Sequence, residues 1–236
     1  MSALSPIKIA PLRFVFTGIA GLLCLLLPRL FLAPHLQALS PLARESLLEV
    51  AVGITALSCG FLGIRLNLFR DYPSVNPLPL YRRQLWASLG CMALLWLGIV
   101  ILITPLWESL LDYWQYPSVP QGILLLLQNT TEVWPVLGVS VAAVILAPIV
   151  EEIGFRYYCY RYLKGLFRGP YCAALLTAWL FAQLHGNLRS FPGLFLFSLL
   201  LTWLYERSGN LWPAIFAHAA NNALTILLTV CGSTIF

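Results

Sequence analysis

Two adjacent carboxylates, Glu151 and Glu152, follow an uncharged run that begins at Val133, and Arg156 stands four positions after the second. On a helix, adjacent residues point roughly 100° apart while i and i+4 share a face. Glu152 and Arg156 are therefore expected to pair, leaving Glu151 for other work. A carboxylate in the membrane zone is costly unless paired or wetted, so its default reading there is functional. The chemistry open to Glu151 is that of a general base drawing a proton from water. The structural alternative puts both acids in the headgroup layer, paired with the basic run Arg156 to Arg168.

Two of the three histidines extend this chemistry. His185 closes the run Phe181-Ala182-Gln183-Leu184-His185, with Phe181 one turn earlier on the same helical face. His218 and Asn222 are also spaced i and i+4, so one wall offers an imidazole and a carboxamide that could stabilise an oxyanion. Taken singly, His185 reads equally well as a structural histidine packed on an aromatic ring, and His218 with Asn222 as interhelical hydrogen-bond glue. Together, a carboxylate, two histidines, an asparagine and an arginine on three apolar segments are expensive unless they surround a water-filled cavity. Such a cavity suits hydrolysis.

The elements that hold these groups must be membrane helices. Of 236 residues, 60% are hydrophobic and 10% charged, against about 45–50% and about 25% in soluble domains. The mean hydropathy is +0.83. This composition excludes an ordinary soluble enzyme, and a disordered chain would lack so much apolar surface. Apolar runs cover Phe14 to Pro28, Val50 to Ile64, Leu85 to Leu106, Val133 to Val150, Tyr171 to Leu184, Phe191 to Tyr205 and Leu211 to Phe236. Because about 20 residues cross a bilayer, the simplest count is about seven spans, and six to eight fit the run lengths. Ile123 to Leu127 is too short to cross and is expected to be an interfacial or re-entrant helix. The expected fold is an all-α, polytopic transmembrane helical bundle forming one membrane domain over 1–236.

With seven spans and the N-terminus inside, Lys8, Arg13, Arg65, Arg70, Arg82, Arg83, Arg156, Arg161, Lys164, Arg168 and Arg207 are cytoplasmic, and only Arg29, Arg44 and Arg189 are external. That asymmetry sets the orientation: N-terminus cytoplasmic, C-terminus external. The net charge of +5 is thereby explained by topology, and no nucleic-acid partner is expected. The six cysteines are scattered without a Cys-x-x-Cys pair and are expected to pack as apolar residues.

The three segments resemble the CAAX protease and bacteriocin-processing family of intramembrane glutamate endopeptidases, also called the ABI family. Glu-Glu-x-x-x-Arg appears as Glu151, Glu152 and Arg156, Phe-x-x-x-His as Phe181 and His185, and His-x-x-x-Asn as His218 and Asn222. The context Gly209-Asn210-Leu211-Trp212-Pro213-Ala214 is also similar, and the resemblance covers about 133–228. It implies that Glu151 activates a water with help from His185, that His218 and Asn222 stabilise the tetrahedral oxyanion, and that Glu152, Arg156 and Phe181 support them. It implies no cofactor and no metal. A zinc site built from Glu151, His185 and His218 ranks second, since His-Glu-x-x-His is missing.

The function so implied is endopeptidase cleavage of a peptide bond near the membrane surface. The expected partners are the lipid bilayer and a peptide or protein substrate, prenylated or otherwise membrane-associated. A bacterial plasma membrane is the expected location, because the chain is short and carries no targeting extension or retention signal. Two rivals stand beside this reading. One is a non-catalytic membrane scaffold or bacteriocin self-immunity factor of the same fold. The other is a proton-coupled transporter, which would also place Glu and His within spans but would be expected to show paired repeats or broken helices.

Overall fold

In the computed structural model, residues 19, 23, 26–65, 82–117, 127 and 132–231 are described. Among them every regular element is helical and no strand occurs. The elements are α1 (Pro41–Arg65), α2 (Arg82–Gly98), α3 (Thr104–Tyr113), α4 (Val133–Val141), α5 (Ala147–Glu152), α6 (Arg161–Phe167), α7 (Pro170–Leu184), α8 (Phe191–Ser208) and α9 (Leu211–Val230). Stretches with the wider i→i+5 register join α2 to α3 (Ile99–Ile103), α4 to α5 (Ala142–Leu146) and α5 to α6 (Ile153–Tyr160).

Prolines account for two of these three wide turns. Pro105 and Pro148 lie just beyond the first and second. A proline inside a helix donates no N–H and clashes with the carbonyl four residues back, and a local π turn relieves that clash in an apolar setting. Elsewhere proline starts helices, where its missing N–H costs nothing. Pro41 opens α1, with the Ser40 hydroxyl accepting from the Ala43 N–H at 3.3 Å, and Pro170 opens α7. Gly209, at φ 65°, closes α8, and the Asn210 carboxamide oxygen then accepts from the Trp212 N–H at 3.0 Å to begin α9.

Four helical stretches are long and apolar enough to cross a membrane: Pro41–Gly63, Trp86–Tyr113, Val133–Phe167 and Leu211–Val230. They support an integral membrane protein. Pro170–Leu184 is apolar but shorter, and Phe191–Ser208 has Glu206 and Arg207 at its end, which reduce its apolarity. The seven-span count is therefore not matched helix for helix. Most of the expected run Phe14 to Pro28, and all of Ile123 to Leu127 except Leu127, lie outside the described residues.

The chain divides into two compact units, one formed by 1–72, 122–154 and 218–236 and the other by 73–121 and 155–217. In the first, α1 and the helix beginning at Val133 run side by side in the same sense. Ser40 and Glu132, which precede them, share a 2.9 Å hydrogen bond. Farther along, Ser46 meets Gly138, Gly53 meets Leu146 and Gly60 meets Ile153. Small residues at sevenfold spacing on α1 let the helices approach, as is usual where lipid gives no hydrophobic drive for association.

Of these approaches, Gly53 is the one where a methyl group would press hardest on a neighbour's carbon atoms. A Cβ there would lie 2.7 Å from Leu146 Cβ, whereas one at Gly90 would meet nothing within 4 Å. Glycine to alanine normally favours a helix by roughly 0.5–1 kcal/mol, but overpacking costs about 1–3 kcal/mol. Gly53→Ala is thus expected to lower the thermal unfolding midpoint in detergent, and Gly90→Ala to leave it level or raise it. Equal shifts would contradict this packing.

The second unit is centred on Met92, Phe197, Leu201, Leu204 and Ala214. The Trp96 and Phe197 rings lie 4.6 Å apart. Outward-facing Trp86, Leu94, Leu102 and Leu106 are well exposed, as lipid-facing residues would be.

Candidate active site

The first unit gathers four of the expected residues. Glu151 and Glu152 end α5, and His218 and Asn222 lie one turn apart on α9. His218 and Glu152 are both buried, and His218 Nδ1 lies 2.9 Å from Glu152 Oε1. A carboxylate only accepts, so with Glu152 in that form Nδ1 carries the proton and Nε2 is left for other partners. Nε2 faces Glu151, 3.8 Å from its Oε2. The two adjacent carboxylates thus flank one imidazole from its two nitrogens.

Glu151 differs from Glu152 in its surroundings. Its side chain is 28% exposed while that of Glu152 is 0% exposed. Among the described residues, Glu151 Oε2 has no hydrogen-bond partner, and 3.8 Å is too long for a direct bond to Nε2. Glu151 is the more exposed of the two carboxylates.

Asn222 is held from both ends of its amide. Nδ2 donates to the Ala143 carbonyl at 2.8 Å, and Oδ1 accepts from Asn221 Nδ2 at 3.4 Å. These partners distinguish the amide oxygen from its nitrogen. Nδ2 retains a second hydrogen for another acceptor.

The second unit carries the other three expected residues. Arg156 is buried, and its Nη2 donates to the Ser198 carbonyl at 3.1 Å and to the Ser198 hydroxyl at 2.9 Å. Its guanidinium lies 5.0 Å from the Phe181 ring centroid, a cation–π arrangement. Phe181 in turn lies 4.6 Å from the His185 ring, centroid to centroid. His185 caps α7, and its Nδ1 donates to the Phe181 carbonyl at 2.7 Å. In the neutral ring this fixes Nε2 as the acceptor. The aromatic packing expected of a structural histidine and a ring with Nε2 as acceptor thus occur together.

The turn after His185 is pinned within the same unit. Gly186 adopts φ +64°, a left-handed conformation that favours glycine. Arg189 Nη2 donates to Asp112 Oδ1 and to the Tyr116 carbonyl, each at 2.7 Å, and Trp107 Nε1 donates to the Leu188 carbonyl at 2.9 Å. Spacing within the three signatures could not reveal these contacts or Ser198, because the partners lie 42 to 81 positions away. Glu152 falls in the first unit and Arg156 in the second.

Among the described residues, no group of three or more His, Cys, Asp or Glu side chains is arranged to hold a metal ion. The chain matches the family model described as type II CAAX prenyl endopeptidase Rce1-like over residues 132–224. That stretch contains Glu151, Glu152, Arg156, Phe181, His185, His218 and Asn222. No curated protein and no solved structure gives a significant match.

Proposed function

We propose that the chain is an intramembrane endopeptidase that hydrolyses a peptide bond near the membrane surface with a glutamate-activated water. The observation that carries this reading is the Glu152–His218–Glu151 arrangement, in which a buried carboxylate orients an imidazole toward a second, partly exposed carboxylate. Glu151 is the base. The 3.8 Å gap between its Oε2 and His218 Nε2 suits a bridging water, which is where a nucleophile would be deprotonated. With a proton on each ring nitrogen, Nδ1–H held by Glu152 and Nε2–H facing Glu151, His218 joins the second Nδ2 hydrogen of Asn222 as a donor for the oxyanion.

The helper role of His185, and the supporting roles of Arg156 and Phe181, rest on the resemblance and on the family match. So do a metal-independent mechanism and a substrate that is a prenylated or membrane-associated peptide. The proposal also includes seven spans in one membrane domain, a cytoplasmic N-terminus, an external C-terminus and a bacterial plasma membrane.

The test is cleavage of fluorogenic peptides, prenylated and unprenylated, by purified protein in detergent, with and without chelator. Cleavage at an unchanged rate after chelation is the expected result. Loss of cleavage on chelation with recovery on zinc would establish the metal mechanism instead. A normal cellular phenotype from a Glu151→Gln protein would favour the scaffold or self-immunity reading.

A further inference from the structure

The acceptor that holds Asn222 exists because of a proline. In the wide turn Ala142–Leu146, the Ala147 N–H donates to the Ala142 carbonyl, five residues back. The next donor in that register would be residue 148, which would serve the Ala143 carbonyl. Residue 148 is proline and has no N–H. The Ala147 N–H, the alternative donor in an α register, is already engaged at Ala142. The Ala143 carbonyl is therefore without an intrahelical donor in an apolar region, where a backbone oxygen must find a partner. Asn222 Nδ2 supplies it at 2.8 Å. Because nothing along the helix holds that carbonyl, it is free to tilt toward α9.

We propose that Pro148 is a positioning residue for Asn222: by withholding its N–H, it leaves the Ala143 carbonyl as the fixed acceptor that orients the Asn222 carboxamide. One amide hydrogen is spent on the carbonyl and the other is aimed by the same bond. This rests on the reading of Asn222 as an oxyanion donor, although the orientation itself does not depend on catalysis. Pro148 is buried at the start of α5, and the proposed route from it to the reaction runs through Asn222.

The experiment pairs a spectroscopic readout with a kinetic cycle. Protein labelled with 15N-asparagine in detergent micelles gives side-chain amide resonances, and that of Asn222 is identified by its loss in Asn222→Ala. In Pro148→Ala the restored N–H competes for the Ala143 carbonyl, so the Asn222 resonance is expected to shift and to exchange faster with solvent. Pro105→Ala makes the same change after the other proline-linked wide turn and is expected to leave that resonance in place. With a cleaved peptide, Pro148→Ala is expected to lower kcat about tenfold with KM within about twofold. In an Asn222→Ala background it should lower kcat no further. Pro148→Gly restores the same N–H and carries the test if the alanine variant unfolds. An unmoved Asn222 resonance in a folded Pro148 variant would overturn the proposal, as would an equal loss of kcat in both backgrounds. A moved resonance in a protein that cleaves nothing would uphold the positioning and count against the peptidase reading alone.

Discussion

Glu151→Gln is expected to abolish most turnover while leaving the fold intact. A general base contributes about 10²- to 10⁴-fold, and glutamine keeps the shape of glutamate without its basicity. A thousandfold loss corresponds to about 4 kcal/mol of transition-state stabilisation. The loss should appear in kcat and in kcat/KM alike, because the proton transfer occurs only on the way to the transition state. Stability should change little. Glu151 Oε2 has no hydrogen-bond partner among the described residues, and the side chain is partly exposed, so the amide displaces no observed bond at that oxygen. Steady-state kinetics and a thermal melt on the same preparation check both halves. A melt that drops sharply would mean that Glu151 holds the fold rather than the water.

His218→Ala is expected to fail in both respects. His218 is buried and its Nδ1 is bonded to the fully buried Glu152. Removing the imidazole takes a partner from a buried carboxylate and opens a cavity, at a cost of about 3 kcal/mol. The same substitution removes an oxyanion donor, a loss of about 10²- to 10³-fold in kcat. The two effects separate by comparison with Glu151→Gln, which should share the kinetic loss without the drop in melting temperature. If His218→Ala melts like the wild type, the Glu152–His218 bond does not support the fold as its burial implies.

The helical class and the helix face shared by His218 and Asn222 could be read from composition and spacing. The run from Val133, the i and i+4 pair His218 and Asn222, and the free carboxylate Glu151 all rest on local periodicity, and periodicity is what a helix transmits most directly. The number of crossings was less legible. Charged residues at the end of Phe191–Ser208 and the brevity of Pro170–Leu184 make apolar runs poor measures of where a helix meets lipid. The partners of the site were the least legible part. Spacing could pair Glu152 only with its own helix, whereas its imidazole partner His218 lies 66 positions away. The Ala143 carbonyl is a backbone group, and only the position of Pro148 within an apolar helix hinted that a carbonyl nearby would need an outside donor.

The most direct test of a glutamate-activated water is to follow the water itself. Purified protein, after chelation, is given a cleavable peptide in 18O-labelled water, and the new carboxyl terminus is weighed by mass spectrometry as product forms. The wild type should place one 18O in the new carboxyl terminus and none in the amine product at first turnover, and Glu151→Gln should form labelled product about a thousandfold more slowly. Glu151→Gln forming labelled product at the wild-type rate would contradict Glu151 as the base.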